Sequence, residues 1–157
     1  MKISNLNNLI KTGSLQLKNW GVIDIIGEKE KVFDLLQGQV TSDVKLLENN
    51  ECQLSSICNH KGQVMADFII YYFDNSYKFI LKNELSDILI KELKPFAQFN
   101  FVEFKKSSMN VIGSVTEEKS INSYSTNKNI STSVDISSSE VITAVSYTHL
   151  RAHETDR

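Results

Sequence analysis

The sequence predicts an α+β domain: an antiparallel sheet covered on one face by two helices, a split βαβ, ferredoxin-like arrangement with an added strand. Three observations predict it. WGVIDII (20–26) and YKFILK (77–82) are short runs rich in β-branched and aromatic residues, the composition of strands. Two other stretches, one after each of those runs, place apolar residues at helical spacing. Between them, residues 53–58 and 63–73 read as strands joined by Asn59-His60-Lys61-Gly62, a turn signal that folds them into a hairpin.

Taken in order, WGVIDII alternates loosely and closes at Gly27. The helix expected at 28–36 carries Val32, Leu35 and Leu36 on one stripe with Phe33 beside them. LLQGQVTSDV follows, and Gly38 is expected to end that helix in the left-handed conformation that glycine reaches without a Cβ penalty. QVMADFIIYYF is the long second strand of the hairpin, and Asp74-Asn75-Ser76 turns it back into YKFILK, where Tyr77, Phe79 and Leu81 alternate with Lys78 and Lys82. Asn83 is expected to cap a helix with Leu85, Ile88, Leu89 and Leu93 on its stripe, ended or kinked by Pro95. A short strand at 101–105 completes the set.

This divides the chain into a first α+β domain at 1–107, the start of an incomplete second domain at 108–144, and a tail at 145–157. MNVIGSV (109–115) opens the second part as a strand, and a Ser, Asn and Thr-rich stretch follows it. The tail differs in kind. Lysine fills every Lys or Arg position before residue 150, whereas both arginines, Arg151 and Arg157, fall in the tail. VSYTHLRAHETDR back-translates closely onto a transposon-end adapter used in DNA sequencing libraries, so it is read as translated adapter. His149 and His153, spaced i and i+4 as a helical metal pair would be, are therefore given no function, and the natural chain is expected to continue beyond Ala144.

The composition, 41% hydrophobic and 23% charged with a net charge of -2, is that of a soluble globular chain. It offers no bulk attraction to nucleic acid or to an anionic membrane, so neither direct nucleic-acid binding nor membrane association is expected. No apolar run approaches the roughly 18 residues of a membrane span. The N-terminus MKISNLNNLIKTG lacks the apolar region of a signal peptide, and a cytoplasmic location is expected. Cys52 and Cys58 fit neither a CxxC nor a zinc knuckle, and Cys58 and His60 lack a second ligand pair, so no metal is expected.

Candidate chemistry collects on the 63–73 strand, where Met65, Asp67, Ile69, Tyr71 and Phe73 share a side by the two-residue period. Asp67 is thus an acid on an apolar, aromatic face, to be met by an internal donor or kept for a ligand. Tyr71 reads first as core. Trp20, at the mouth of the first strand, is either core or a plate for a flat ring. Gln37, Gln39, Thr41 and Asp43 place amides, a hydroxyl and a carboxylate on one loop, a common composition for loops.

Three blocks, NWGVIDIIG, LLQGQVTSDV and CNHKGQVMADFIIYYF, taken in that order, resemble the N-terminal region of the YgfZ-type folate-binding proteins, relatives of the glycine-cleavage T-protein, an aminomethyltransferase. The resemblance covers about residues 15–115. It implies the first domain of the aminomethyltransferase-type folate-binding fold, with tetrahydrofolate as the bound cofactor. It also implies a role in iron–sulfur cluster assembly or repair and in tRNA modification, with iron–sulfur proteins or tRNA-modifying enzymes as partners. On the same ground Trp20 and Asp67 are expected to contact the folate, with Tyr71 in register: the indole would stack on the pterin and the carboxylate would pair with its amidine-like edge through two parallel hydrogen bonds. The chain departs from the pattern in the longer helix between Gly27 and Gln37, and in Ala66-Asp67 where the aminomethyltransferases carry paired acids. The Lys-Gly-Cys element of the family is absent, so no catalytic residue is assigned and aminomethyltransferase-like activity stays open.

Two other readings compete. An aminomethyltransferase of glycine cleavage is disfavoured by QGQVTSDV and by the loss of one Asp. An RNA-binding α+β module is disfavoured because Tyr71 and Phe73 are not set in a basic, glycine-rich strand.

Overall fold

The structure, a computed structural model, describes residues 13–47, 51–73, 75–116, 123–127, 130–136 and 140–146. Strands β2 (Trp20–Ile26), β3 (Glu51–Cys58), β4 (Val64–Phe73), β5 (Ser76–Lys82) and β6 (Glu103–Lys106) form one antiparallel sheet in the order β3-β4-β5-β2-β6. Helices α1 (Lys29–Gln39) and α2 (Asn83–Asn100) cover one of its faces. This is the α+β arrangement that the sequence predicts: β3 and β6 each follow a helix in the chain, and β3, β4 and β5 form a meander that supplies the added strand.

The two-residue period sorts each strand between two cores. Ile23, Ile25, Ile57, Phe68, Ile70, Phe79 and Leu81 face the helices and pack on Val32, Leu35 and Leu36 of α1 and on Leu89, Leu93 and Ala97 of α2. Their alternates Val22, Cys52, Ile69, Tyr71 and Ile80 form a second buried cluster with Val111, joined by Leu17, Trp20 and Met109. Val111 belongs to β7 (Asn110–Thr116), so the helix-free face is covered in part by the second sheet.

That second sheet joins β7 to β1 (Gly13–Gln16), β8 (Ser123–Asn127), β9 (Ile130–Ile136) and β10 (Glu140–Ser146), in the order β1-β7-β10-β9-β8. β1 pairs antiparallel with β7, so residues 13–16 sit with the second sheet although they precede the first. β10 includes Val145 and Ser146, the first two residues of the stretch read as adapter, while His149 and His153 lie outside the described residues.

Three local expectations are corrected. α1 runs to Gln39, so Gly38 lies inside the helix, and the residue that closes it, Val40, is extended and bonds back to Leu36. Val40 then bridges to Ile57 and the Thr41 amide donates to the Ser56 carbonyl, so pairing with β3 ends α1 without a left-handed residue. A Cβ at Gly38 would meet nothing within 4 Å. Gly38→Ala should therefore raise stability by about 0.5–1 kcal/mol, the interior-helix penalty of glycine; a lower urea midpoint would contradict this placement.

The second correction concerns Asn83. The residue before α2 is Lys82, and Asn83 is its first helical residue, with its side-chain amide donating to the Lys18 carbonyl at 3.2 Å. Third, of the two outcomes expected at Pro95, ending or kinking, the first is excluded, because α2 continues five residues past it to Asn100. Its last turn is held by the Val102 amide donating to the Ala97 carbonyl and by Phe101, which takes the left-handed closing position at φ 57°. Among the described residues no helix is long and apolar enough to cross a membrane.

Candidate ligand-binding face

The β2–β5 register sets Trp20 opposite Lys82 and Val22 opposite Ile80, so all four side chains share the helix-free face. On the other edge of β5, Ile80 faces Ile69, the last bonded pair between β4 and β5. Carried one two-residue step past that last pair, the same register brings Asp67 level with Lys82. On the outer edge of β4, Asp67 is opposite Ser56 of β3. Trp20, Lys82, Asp67 and Ser56 thus form one row across four strands, beside the apolar row Val22, Ile80, Ile69 and Leu54.

The row ends on the LLQGQVTSDV loop. Thr41 and Ser56 hydroxyls lie 3.0 Å apart, and the Ser56 amide donates to the Thr41 hydroxyl. Ser42 bonds through both its amide and its hydroxyl to the buried Ser55 hydroxyl, the latter at 2.8 Å. Gln37 donates to the Asp43 carboxylate and accepts from the Val44 amide at 2.9 Å, and Asp43 also accepts from the Lys45 amide. The polar side chains of this loop are used to fasten it to β3 and to close the turn at Val44–Leu46.

The candidate residues of the sequence fall into two environments. Asp67 is exposed, with no hydrogen bond or ion pair to its carboxylate among the described residues. Trp20 is half-buried and lines a cleft of about 770 Å³ together with Leu15, Leu17, Lys18, Lys82 and Glu84. Tyr71 is 2% exposed, within the inter-sheet cluster. The fold brings Trp20 and Asp67 to one face, but they do not share a closed pocket, and Tyr71, on the same side of β4 as Asp67, is buried in the cluster with Val111 of β7. Lys82, the register partner of Trp20 on this face, is a candidate that sequence reasoning missed. The lysine alternation in YKFILK is a signal for its face, but its neighbours depend on two strand registers.

The cysteines lie near opposite ends of β3 rather than gathered: Cys52 is buried and Cys58 exposed beside the Asn59–Gly62 turn. Among the described residues no group of three or more His, Cys, Asp or Glu is arranged to hold a metal.

No protein-family model matches the chain. The tRNA-modifying protein YgfZ of Photobacterium profundum is 33% identical over 107 residues, 68% of this chain and 32% of that protein. Its counterpart in Buchnera aphidicola subsp. Schizaphis graminum is 36% identical over 99 residues, 63% of this chain and 30% of its own. The chain is a relative of the YgfZ proteins. It spans about a third of the length of the YgfZ relatives it matches, 32% and 30%. Its fold is similar to that of the glycine cleavage system aminomethyltransferase T from Bartonella henselae, with a TM-score of 0.54 at 17% identity, over 61% of this chain and 26% of that one. The resemblance to YgfZ proteins read from the three sequence blocks is thus the one found, and the fold is the aminomethyltransferase-type fold it implies.

Proposed function

We propose that this chain supplies the folate-binding α+β domain of a YgfZ-type protein, whose task is tRNA modification in support of iron–sulfur enzymes. The observation that carries the folate reading is Asp67: an exposed carboxylate without a partner among the described residues, in the same row as a half-buried indole. A carboxylate suits the N–H edge of a pterin, which can donate two parallel hydrogen bonds to it, and an indole suits the flat faces of the ligand's rings. The donor set therefore fits a reduced folate on two counts. Tyr71, 2% exposed in the inter-sheet cluster, fits as part of the packing that fixes β4 rather than as a contact. The tRNA role is supported by the naming of the relatives, and the iron–sulfur role by the family resemblance alone.

Bound folate would supply a one-carbon carrier. What this chain contributes is orientation: Asp67 holds the ring edge, and the loop at Thr41 and Ser56 closes the far end of the row. Replacing Asp67 by Ala removes the acceptor of a charge-assisted pair and should weaken tetrahydrofolate binding by about 1–3 kcal/mol without lowering the melting temperature. Titration calorimetry on the chain and its variant decides this, and equal affinities would remove Asp67 from the site.

A further inference from the structure

We propose that, within the folate reading on which this rests, Trp20 stacks on the p-aminobenzoyl ring of the ligand rather than on its pterin, and that Lys82 and Lys18 hold the glutamate carboxylates in the cleft beside it. The spacing of the row is the first reason. β5 lies between β2 and β4, so Trp20 and Asp67 are two strand spacings apart, roughly 10 Å. A pterin whose amidine edge is held by Asp67 ends short of the indole. The next ring of a folate, one methylene-amino link further on, reaches it.

The cleft is the second reason. Trp20 and Lys82 are register partners on adjacent strands, and the cleft they share is lined by Leu15 and Leu17 on one side and by Asn83 and Glu84 at the start of α2 on the other. Its walls are braced. The Leu17 amide donates to the Val111 carbonyl, the Trp20 amide to Leu17, the Asn83 amide to Asn19, and the Asn83 side chain to Lys18. Lys18 is therefore presented from a turn tied both to the second sheet and to α2. Gly21 lets this turn lie close, since a Cβ there would stand 2.2 Å from the Asn83 side-chain oxygen.

The charges are the third reason. Lys78 and Lys106 are ion-paired with Asp24 and Asp87, whereas Lys18 and Lys82 have no ion pair among the described residues. With Glu84 in the same cleft, the lining keeps a net charge of about +1. The indole with the apolar wall of Leu15 and Leu17 suits a benzoyl ring and the two ammonium groups suit carboxylates, which together are the complement of a p-aminobenzoylglutamate.

The test uses the chain itself, in which Trp20 is the only tryptophan and so reports alone. Tetrahydropteroate, which has the benzoyl ring but no glutamate, should quench its emission, and 6-methyltetrahydropterin, which has neither, should bind without quenching. Lys82→Gln should weaken tetrahydrofolate about threefold to fivefold, the usual worth of a solvent-exposed ion pair, and leave tetrahydropteroate unchanged. Quenching by 6-methyltetrahydropterin, or an equal loss for both ligands in Lys82→Gln, would overturn this assignment and leave the folate reading standing. If calorimetry detects no tetrahydrofolate binding to the unaltered chain, the folate reading itself fails and this inference with it.

Discussion

Phe79→Ala is expected to lower the unfolding free energy by about 3–5 kcal/mol, the usual cost of emptying a buried aromatic site. Phe79 is 0% exposed and sits at the centre of the helix-side core on β5. Its ring centroid lies 4.4 Å from that of Phe68 on β4 and 5.9 Å from that of Phe104 on β6, so one side chain ties together strands on both sides of it. Truncation removes the ring and leaves a cavity between the sheet and the helices, which can close only if the helices shift or the ladders break. Urea unfolding followed by circular dichroism measures the loss. A change below about 1 kcal/mol would mean that the helices do not pack on this face as described.

The neighbouring residue probes the other core. Ile80 is also 0% exposed but belongs to the cluster with Val22, Ile69, Tyr71 and Val111. Ile80→Ala should cost about 2–4 kcal/mol if the helix-free face is covered by β7, and well under about 1 kcal/mol if that face is open to water, because an exposed isoleucine gains little from burial. The adjacent pair is therefore informative. Phe79 tests the two-layer domain, and Ile80 tests whether Val111 closes the opposite side. Loss of stability in both variants supports two cores sharing one sheet, and loss in Phe79→Ala alone would detach the second sheet from the first.

Much of the first sheet is legible in the residues themselves. β2 begins and ends where WGVIDII does, and the Asn59–Gly62 turn joins β3 to β4, with Gly62 at φ 78° and Asn59 bonded to the Lys61 and Gln63 amides. These features are local: strand composition and turn chemistry act over a few residues. The departures fall on the helices, where contacts outside the helix decide. Backbone freedom alone puts Gly38 at the end of α1, but pairing of Val40 and Thr41 with β3 sets that end after Gln39. Helical spacing puts Ile88 on the core stripe of α2, yet it is 39% exposed, and Ser86 takes the buried position at 4%. A shift of the stripe by part of a turn follows from where the sheet lies beneath the helix.

The candidate site divides in the same way. The period of two puts Asp67 and Tyr71 on one side of β4 from sequence alone, and the three quoted blocks carry the family. That Tyr71 is buried while Asp67 is exposed follows from the coverage of the inter-sheet cluster, which ends before Asp67 is reached.

By itself, then, the sequence determined strand composition, turn positions, the side on which each strand residue lies and the kinship with YgfZ proteins, because each of these is written in neighbouring residues. Only the tertiary structure decided which strands distant in the chain adjoin. β5 is inserted between β2 and β4, Lys82 pairs with Trp20 on the helix-free face, and a strand of the second sheet covers part of that face. Those outcomes depend on hydrogen-bond registers between segments far apart in the chain, where a slip of one residue would turn every side chain to the opposite face.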